Sequence, residues 1–213
     1  MTASQSERRA GFDARVHALE GARVEGVDYW DIHSFGPEPA AWDYGDWHHA
    51  VMGVQLATDS GPFTVTWTNT FHPYGVEVFA EPIERHLVLG SEGPQRIGPD
   101  GESRWSPLLG TPIRRAQVWW DLLQLGPATL SSGEVVEPAR DVDLPTALRL
   151  DFDAGPVWFV AAIPQAPSME DTFIPGDEIM VVFASAKLQS MGYDDPAFID
   201  GRHAAAESKE EAE

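Results

Sequence analysis

Val54-Gln-Leu-Ala-Thr-Asp-Ser-Gly-Pro-Phe-Thr-Val-Thr-Trp67 is the stretch on which the fold turns. Apolar Val54 and Leu56 alternate with polar neighbours, the turn formers Asp59-Ser-Gly-Pro62 follow, and Phe63, Val65 and Trp67 then recur at every second position. A period of two on both sides of a short turn describes a β-hairpin, with the apolar set facing a core and Thr64 and Thr66 looking outward. Gly75-Val-Glu-Val-Phe79, after the His72-Pro-Tyr-Gly75 turn, extends the hairpin to a meander.

The device recurs as Leu148-Arg-Leu-Asp-Phe-Asp-Ala-Gly-Pro-Val-Trp-Phe-Val160. Counted from Asp59 and Asp153, Val54 matches Leu148, Leu56 matches Leu150, Phe63 matches Val157 and Val65 matches Phe159. Two Asp-x-Gly-Pro hairpins in the same register read either as an internal duplication or as convergence on good turn chemistry.

Outward from these hairpins, Ser4-Gln-Ser-Glu7 fits a capping box, and Phe12, Val16 and Leu19 follow at helical spacing up to Gly21, so residues 5–20 are predicted helical. Arg23 to Ile32 alternates as a first strand, Ser34 to Pro39 is a loop, and Gln95 to Thr111, rich in Gly, Pro and Ser, reads as another. Ile113 to Leu123 fits both periods; the paired Trp residues favour a strand with Ala116, Val118, Trp120 and Leu122 on one face. Glu178 to Phe183 is a buried strand, and 185–192 a short helix. The predicted fold class is mostly β (α+β): one domain over residues 1–203, built on antiparallel sheet of about eight strands, curved or sandwiched, with an N-terminal helix and a short C-terminal helix. Residues 204–213 read as an acidic flexible tail.

Composition narrows the function. The 213 residues include no Cys, which removes disulfides, thiolate chemistry and Cys-ligated metals. A net charge of −20, from 34 acidic and 14 basic residues, repels nucleic acid and anionic lipid and attracts cations or basic proteins. No apolar run approaches a membrane span and no secretory leader is visible, so the expectation is a cytoplasmic protein of bacterial type, with no nucleic-acid or membrane partner. The histidines His17, His33, His48, His49, His72, His86 and His203 are scattered, and no HExxH or EF-hand loop occurs, so neither metal nor cofactor is expected.

Chemistry concentrates in Trp42-Asp-Tyr-Gly-Asp-Trp-His-His49. Extending the strand through Val54 backwards puts Asp46 and His48 on the core-facing side and Trp47 and His49 on the other, with His48 opposite Phe71. Two readings follow. In the first, Trp42, Asp43, Tyr44 and Trp47, with His33 and Trp67, form an aromatic and acidic surface that grips a basic protein, as an inhibitor or immunity-type protein does. The acidic turns at Asp151 and Asp153, Asp177 and Glu178, and Asp194 and Asp195 would add to that field. In the second, His48 and Asp46 are a catalytic acid/base pair in an aromatic-lined cleft for a small apolar or sugar-like molecule. A third, purely structural role predicts a homo-oligomer joined at a Trp-rich sheet edge. The bland reading is that Trp42, Tyr44 and Trp47 close the open end of the sheet.

Overall fold

The computed structural model describes residues 5–36, 38–87, 92–101 and 103–201; Ser4 of the capping box, His203 and the acidic tail 204–213 lie outside them. The first meander consists of β1 (Val24–Asp31), β3 (Gly53–Thr58), β4 (Gly61–Thr68) and β5 (Gly75–Phe79). The second consists of β7 (Arg115–Leu125), β10 (Arg140–Phe152), β11 (Gly155–Ala161) and β14 (Ile179–Val182). Each lies in the sheet in that order with antiparallel pairing throughout. The hairpin registers match: Leu56 pairs with Phe63 and Leu150 with Val157, leaving Asp59-Ser60 and Asp153-Ala154 as the loops. Gly61 and Gly155 follow those loops with φ of 114° and 135°, backbone that only glycine adopts cheaply. The two hairpins share one sheet and head two equivalent four-strand units.

β2 (Trp47–Val51) joins the units. It pairs antiparallel with β14, touches β1 in parallel at Trp30 and Val51, and then kinks into β3. The kink is carried by Val51 (φ 50°) and Gly53 (φ 156°), so one stretch of chain leaves the second unit and enters the first. This is how strands turn the corner of a sandwich. It also overturns the expected placement of His48 opposite Phe71: the strand changes partner at the kink, and His48 pairs with Val181. β6 (Gln95–Gly98) adds to the free side of β1, a strand inside a segment whose Gly and Pro content reads as loop.

Among the described residues ten strands make up this one sheet, folded so that its halves face each other. Val54, Leu56, Phe63, Val65, Val76 and Val78 from the first unit share a core with Ala116, Leu148, Leu150, Val157, Phe159 and Val181 from the second. Among the described residues β6 lies off the path of the sheet and pairs with β1 alone, and that path ends at β5 and β7. Helix α1 (Gln5–His17), a turn shorter than its apolar spacing predicts, closes the gap between them. Its Phe12 meets Phe71 and Trp120 edge-on at 5.8 and 5.7 Å, and Arg15 donates to the Val78 carbonyl of β5. Covering both edges removes the template for strand addition.

Each unit also has a cap on its outer face, drawn from the chain that follows its last strand. For the first, the turn η1 (Ile83–Arg85) seals a polar layer: Thr64 donates to the Glu81 carbonyl, and the Ile83 N–H donates to the Gln55 side chain. Thr64 and Thr66 do point outward, but they are buried. For the second, α2 (Ser185–Ser190) and α3 (Pro196–Asp200) cover Trp158, Val160, Met180 and Val182 with Leu188, Tyr193, Phe198 and Ile199. The strand reading of 113–123 holds, with Ala116, Val118 and Trp120 towards the core and Trp119 towards α3; Leu122, past the end of that core, is exposed. The short segments β8 (Ala128–Thr129) with β9 (Val135–Glu137), and β12 (Ile163–Pro164) with β13 (Thr172–Phe173), form two small ribbons. No helix among the described residues is long and apolar enough to cross a membrane.

Candidate functional site

The Trp42–His49 segment is a tight turn running into β2. The Gly45 N–H donates to the Asp43 carboxylate at 2.8 Å, Gly45 takes φ 83°, and the Tyr44 N–H donates to the Trp47 carbonyl. From Trp47 onward strand parity operates as expected: His48 enters the inter-sheet core, while Trp47 and His49 face the other way.

His48 is completely buried. Trp105, a donor only, gives its Nε1–H to the Tyr29 hydroxyl oxygen, so the Tyr29 O–H is free to donate to His48 Nδ1 at 2.7 Å. With Tyr29 donating to Nδ1, the imidazole is neutral and carries its own proton on Nε2, on the side of Asp43. Nε2 has no hydrogen-bond partner and lies 3.7 Å from Asp43 Oδ1. Trp42 and Phe183 enclose the ring at centroid distances of 4.9 and 4.7 Å. Burial holds the His48 pKa down to about 4; the nearby Asp43 charge opposes that shift and Arg104 adds to it. Burial likewise holds the Tyr29 hydroxyl well above its ordinary value. The expected Asp46–His48 pair does not form. Asp46 sits in the exposed turn before the strand begins and binds Arg104 at 3.0 Å, so Asp43 is the carboxylate that reaches the imidazole. Trp42 packs face-down on Gly98, where a Cβ would come within 2.9 Å of its ring. This cluster closes the core rather than opening onto a cleft.

Tyr44 and Trp47 line a separate groove of about 660 Å³ with Asp46, Glu170, Asp171 and Lys187. Their rings stack at 4.3 Å, and Lys187 Nζ sits 5.5 Å over Trp47 while donating to the Glu170 carbonyl. The aromatic face offered for a basic partner is therefore already occupied by a cation of this chain. Several acidic turns are engaged too: Asp153 with Arg114, Asp151 with Arg149, and Asp195 as the N-cap of α3.

Trp67 opens onto a cavity of about 680 Å³ at the end of the sheet where β2 kinks into β3. Val51, Met52, Trp67 and Leu87 supply apolar walls, and Phe35, 58% exposed, stands at the rim. Trp67 Nε1 is buried with no hydrogen-bond partner. His86 lines the cavity, stacked on Phe79 at 3.8 Å, and burial lowers its pKa more than the neighbouring Glu81 and Glu77 raise it. Asp177 and Glu178 form the acidic end. His49, buried, donates from Nε2 to Glu178 at 2.8 Å, a pairing across 129 residues that no local pattern signals. His33, with φ 61°, faces Glu92 at 3.6 Å instead of joining this cavity. The structure thus divides the expected site residues among four places: Trp42, Asp43 and His48 in the core cluster, Tyr44, Asp46 and Trp47 at the groove, Trp67 on the cavity, and His33 beside Glu92. Among the described residues no group of three or more His, Asp or Glu side chains could hold a metal ion. Comparison with known proteins finds no matching family model, no matching curated protein and no matching solved structure.

Proposed function

We propose that this protein binds a small, largely apolar molecule in the Trp67 cavity. One observation carries the reading: about 680 Å³ of space lined by apolar and aromatic side chains together with a few polar ones, Asp177 and Glu178 among them. That volume falls within the range of roughly 300–1,000 Å³ typical of small-molecule sites, which share this mix of apolar lining and few polar anchors. The folded sheet supplies rigid walls, and the kink between Val51 and Gly53 keeps β2 and β3 from closing over the space. Titration with a neutral solvatochromic dye and with octan-1-ol tests it. Both should bind saturably at one per chain, and Asn69→Trp, an exposed residue on the cavity wall, should abolish binding without unfolding the protein. Absence of saturable binding by either probe refutes the proposal.

A second reading, capture of a basic protein, rests on the groove beside Tyr44 and Trp47, where Asp46, Glu170 and Asp171 gather. Lys187 would have to be displaced by the partner's own cation. Lys187→Gln should then strengthen capture of a basic partner, and charge reversal at Glu170 and Asp171 should abolish it; capture indifferent to all three changes removes this reading.

A further inference from the structure

We infer that the ligand of the Trp67 cavity is a cation: a small apolar molecule carrying one ammonium group, which two carboxylates select over the matching alcohol and acid. The inference rests on the cavity being a ligand site, as proposed above, and adds the sign of the ligand's charge.

The lining is unbalanced. Asp177 and Glu178 are on it, and among the described residues neither Lys nor Arg is. The remaining ionisable side chain there, His86, is kept neutral near pH 7 by the burial that lowers its pKa. Asp177 forms no ion pair among the described residues, which leaves a carboxylate without a countercharge at the end of an apolar space. Glu178 gives one oxygen to His49 and retains acceptor capacity, since a carboxylate accommodates about four donors.

The backbone that carries the two carboxylates is held in place, and the Glu178 side chain is held by His49. Gly176, between Pro175 and Asp177, lies so close to β12 that a Cβ would come within 2.6 Å of the Ile163 backbone nitrogen and side chain. Its N–H donates to the Ala161 carbonyl at 3.0 Å, and the Glu178 carbonyl accepts from the Ala162 N–H at 2.9 Å. The turn is thus fastened on both sides of Asp177. A backbone fixed before the ligand arrives leaves only side-chain rotamers to be ordered on binding. Trp67 and Phe35 line the same space, and aromatic rings favour an ammonium over a neutral or anionic head group. An acid of the same shape would bring a third negative charge beside two fixed ones in a partly desolvated space, where repulsion is poorly screened. The net charge of −20 further raises the encounter rate for cations.

Calorimetric titration of the full chain with octylamine, octan-1-ol and octanoate separates the possibilities. The amine should bind at one per chain about tenfold more tightly than the alcohol, as one charge-assisted contact implies, and octanoate should bind more weakly than either. In Asp177→Asn, and further in Asp177→Asn combined with Glu178→Gln, the amine's advantage should fall to about twofold while the alcohol's affinity is retained. Asp46→Asn, at the separate groove, removes one charge from the protein's field but none from the cavity, and should leave the advantage intact. An advantage that falls equally in Asp46→Asn, or survives in the Asp177 variant, reflects the field of the whole protein and overturns the inference. So does octanoate binding as tightly as octylamine, with the cavity reading left standing. If none of the three binds, that reading fails and takes this one with it.

Discussion

His48 provides the sharpest test of the structure, because a buried imidazole records its environment in the pH dependence of stability. Its pKa is about 4 when folded against 6.5 for a free imidazole. The folded value is depressed, so between these two pH values the unfolded chain binds more protons, and stability is complete above pH 6.5 and lost as pH falls towards 4. A difference of about 2.5 units at 1.36 kcal/mol each corresponds to roughly 3.4 kcal/mol in the limit. Half-titration of the folded form at its own pKa leaves about 3 kcal/mol lost at pH 4, and about 2 kcal/mol at pH 5. The cause is physical: protonating Nδ1 would place a charge in a wholly buried site and take away the acceptor of the Tyr29 O–H. Urea unfolding of wild type and His48→Gln, measured from pH 7.5 to pH 4.5, isolates the effect, since glutamine offers Tyr29 an acceptor and does not titrate. The carboxylates titrate alike in both proteins and cancel in the difference. The wild type should lose about 2 kcal/mol more than the variant by pH 5. Parallel stability curves would mean that His48 meets solvent, and the assignment of the Trp105–Tyr29–His48 chain would fall with that result.

Other expectations rest on single contacts. Tyr29→Phe strands Trp105 Nε1 and His48 Nδ1 together in the core and should cost about 2–4 kcal/mol in chemical denaturation, two unsatisfied groups at 1–3 each being partly relaxed. Glu77, 2% exposed, receives Arg15 from α1 and the hydroxyls of Thr68 and Thr70; Glu77→Ala should destabilise by about 2 kcal/mol, discounted because Arg15 is partly solvated, and should speed hydrogen exchange in α1 and β5. Phe12→Ala should cost about 3–5 kcal/mol and, by loosening the helix that covers β5 and β7, produce concentration-dependent association in light scattering. Gly53→Ala should cost about 3 kcal/mol, a positive φ plus a Cβ 2.8 Å from the Val65 carbonyl oxygen, whereas Gly21→Ala, with nothing within 4 Å, should cost only about 1.

The parts of the fold visible in the sequence are those governed by local periodicity. The alternation across Asp59-Ser-Gly-Pro62 and its echo at Asp153 give both hairpins and their registers, because a two-residue turn leaves no freedom in the pairing. The partners of β2 were not visible. Its apolar alternation continues through Met52, and only the backbone angles of Val51 and Gly53 reveal that the strand changes sides there. That one unrecognised kink explains the wrong neighbour for His48. Asp46 was misplaced for a different reason: parity was carried back beyond Trp47, into a turn where Gly45 with φ 83° ends the strand conformation. Tyr29 and Trp105 were missed because the hydrogen bond between them spans 76 residues and neither position departs from an ordinary core pattern. Trp67, grouped in the sequence with the Trp42–Trp47 aromatics, lines a different opening, because it stands at the end of a hairpin strand on the other side of the β2 kink.

The position of the cavity follows from the difference between the two otherwise equivalent units. In the second unit, α2 and α3 spread an apolar cover over Trp158, Val160 and Met180. In the first, the described cover is a single turn around Ile83 held by polar groups, with His86 and Leu87 lining the cavity beside the last residues of β4. Among the described residues the strand runs on past this turn to Trp67 and Asn69, and both line the cavity there. The β2 kink removes backbone from the same place, because Met52 leaves the ladder as the chain crosses between units. The turn before β14 then brings Asp177 and Glu178 against the gap from the second unit. The two units are alike in strand order and hairpin register. The inserted strand and the shorter cap break that likeness at one point, and the aromatic, apolar and acidic walls meet there.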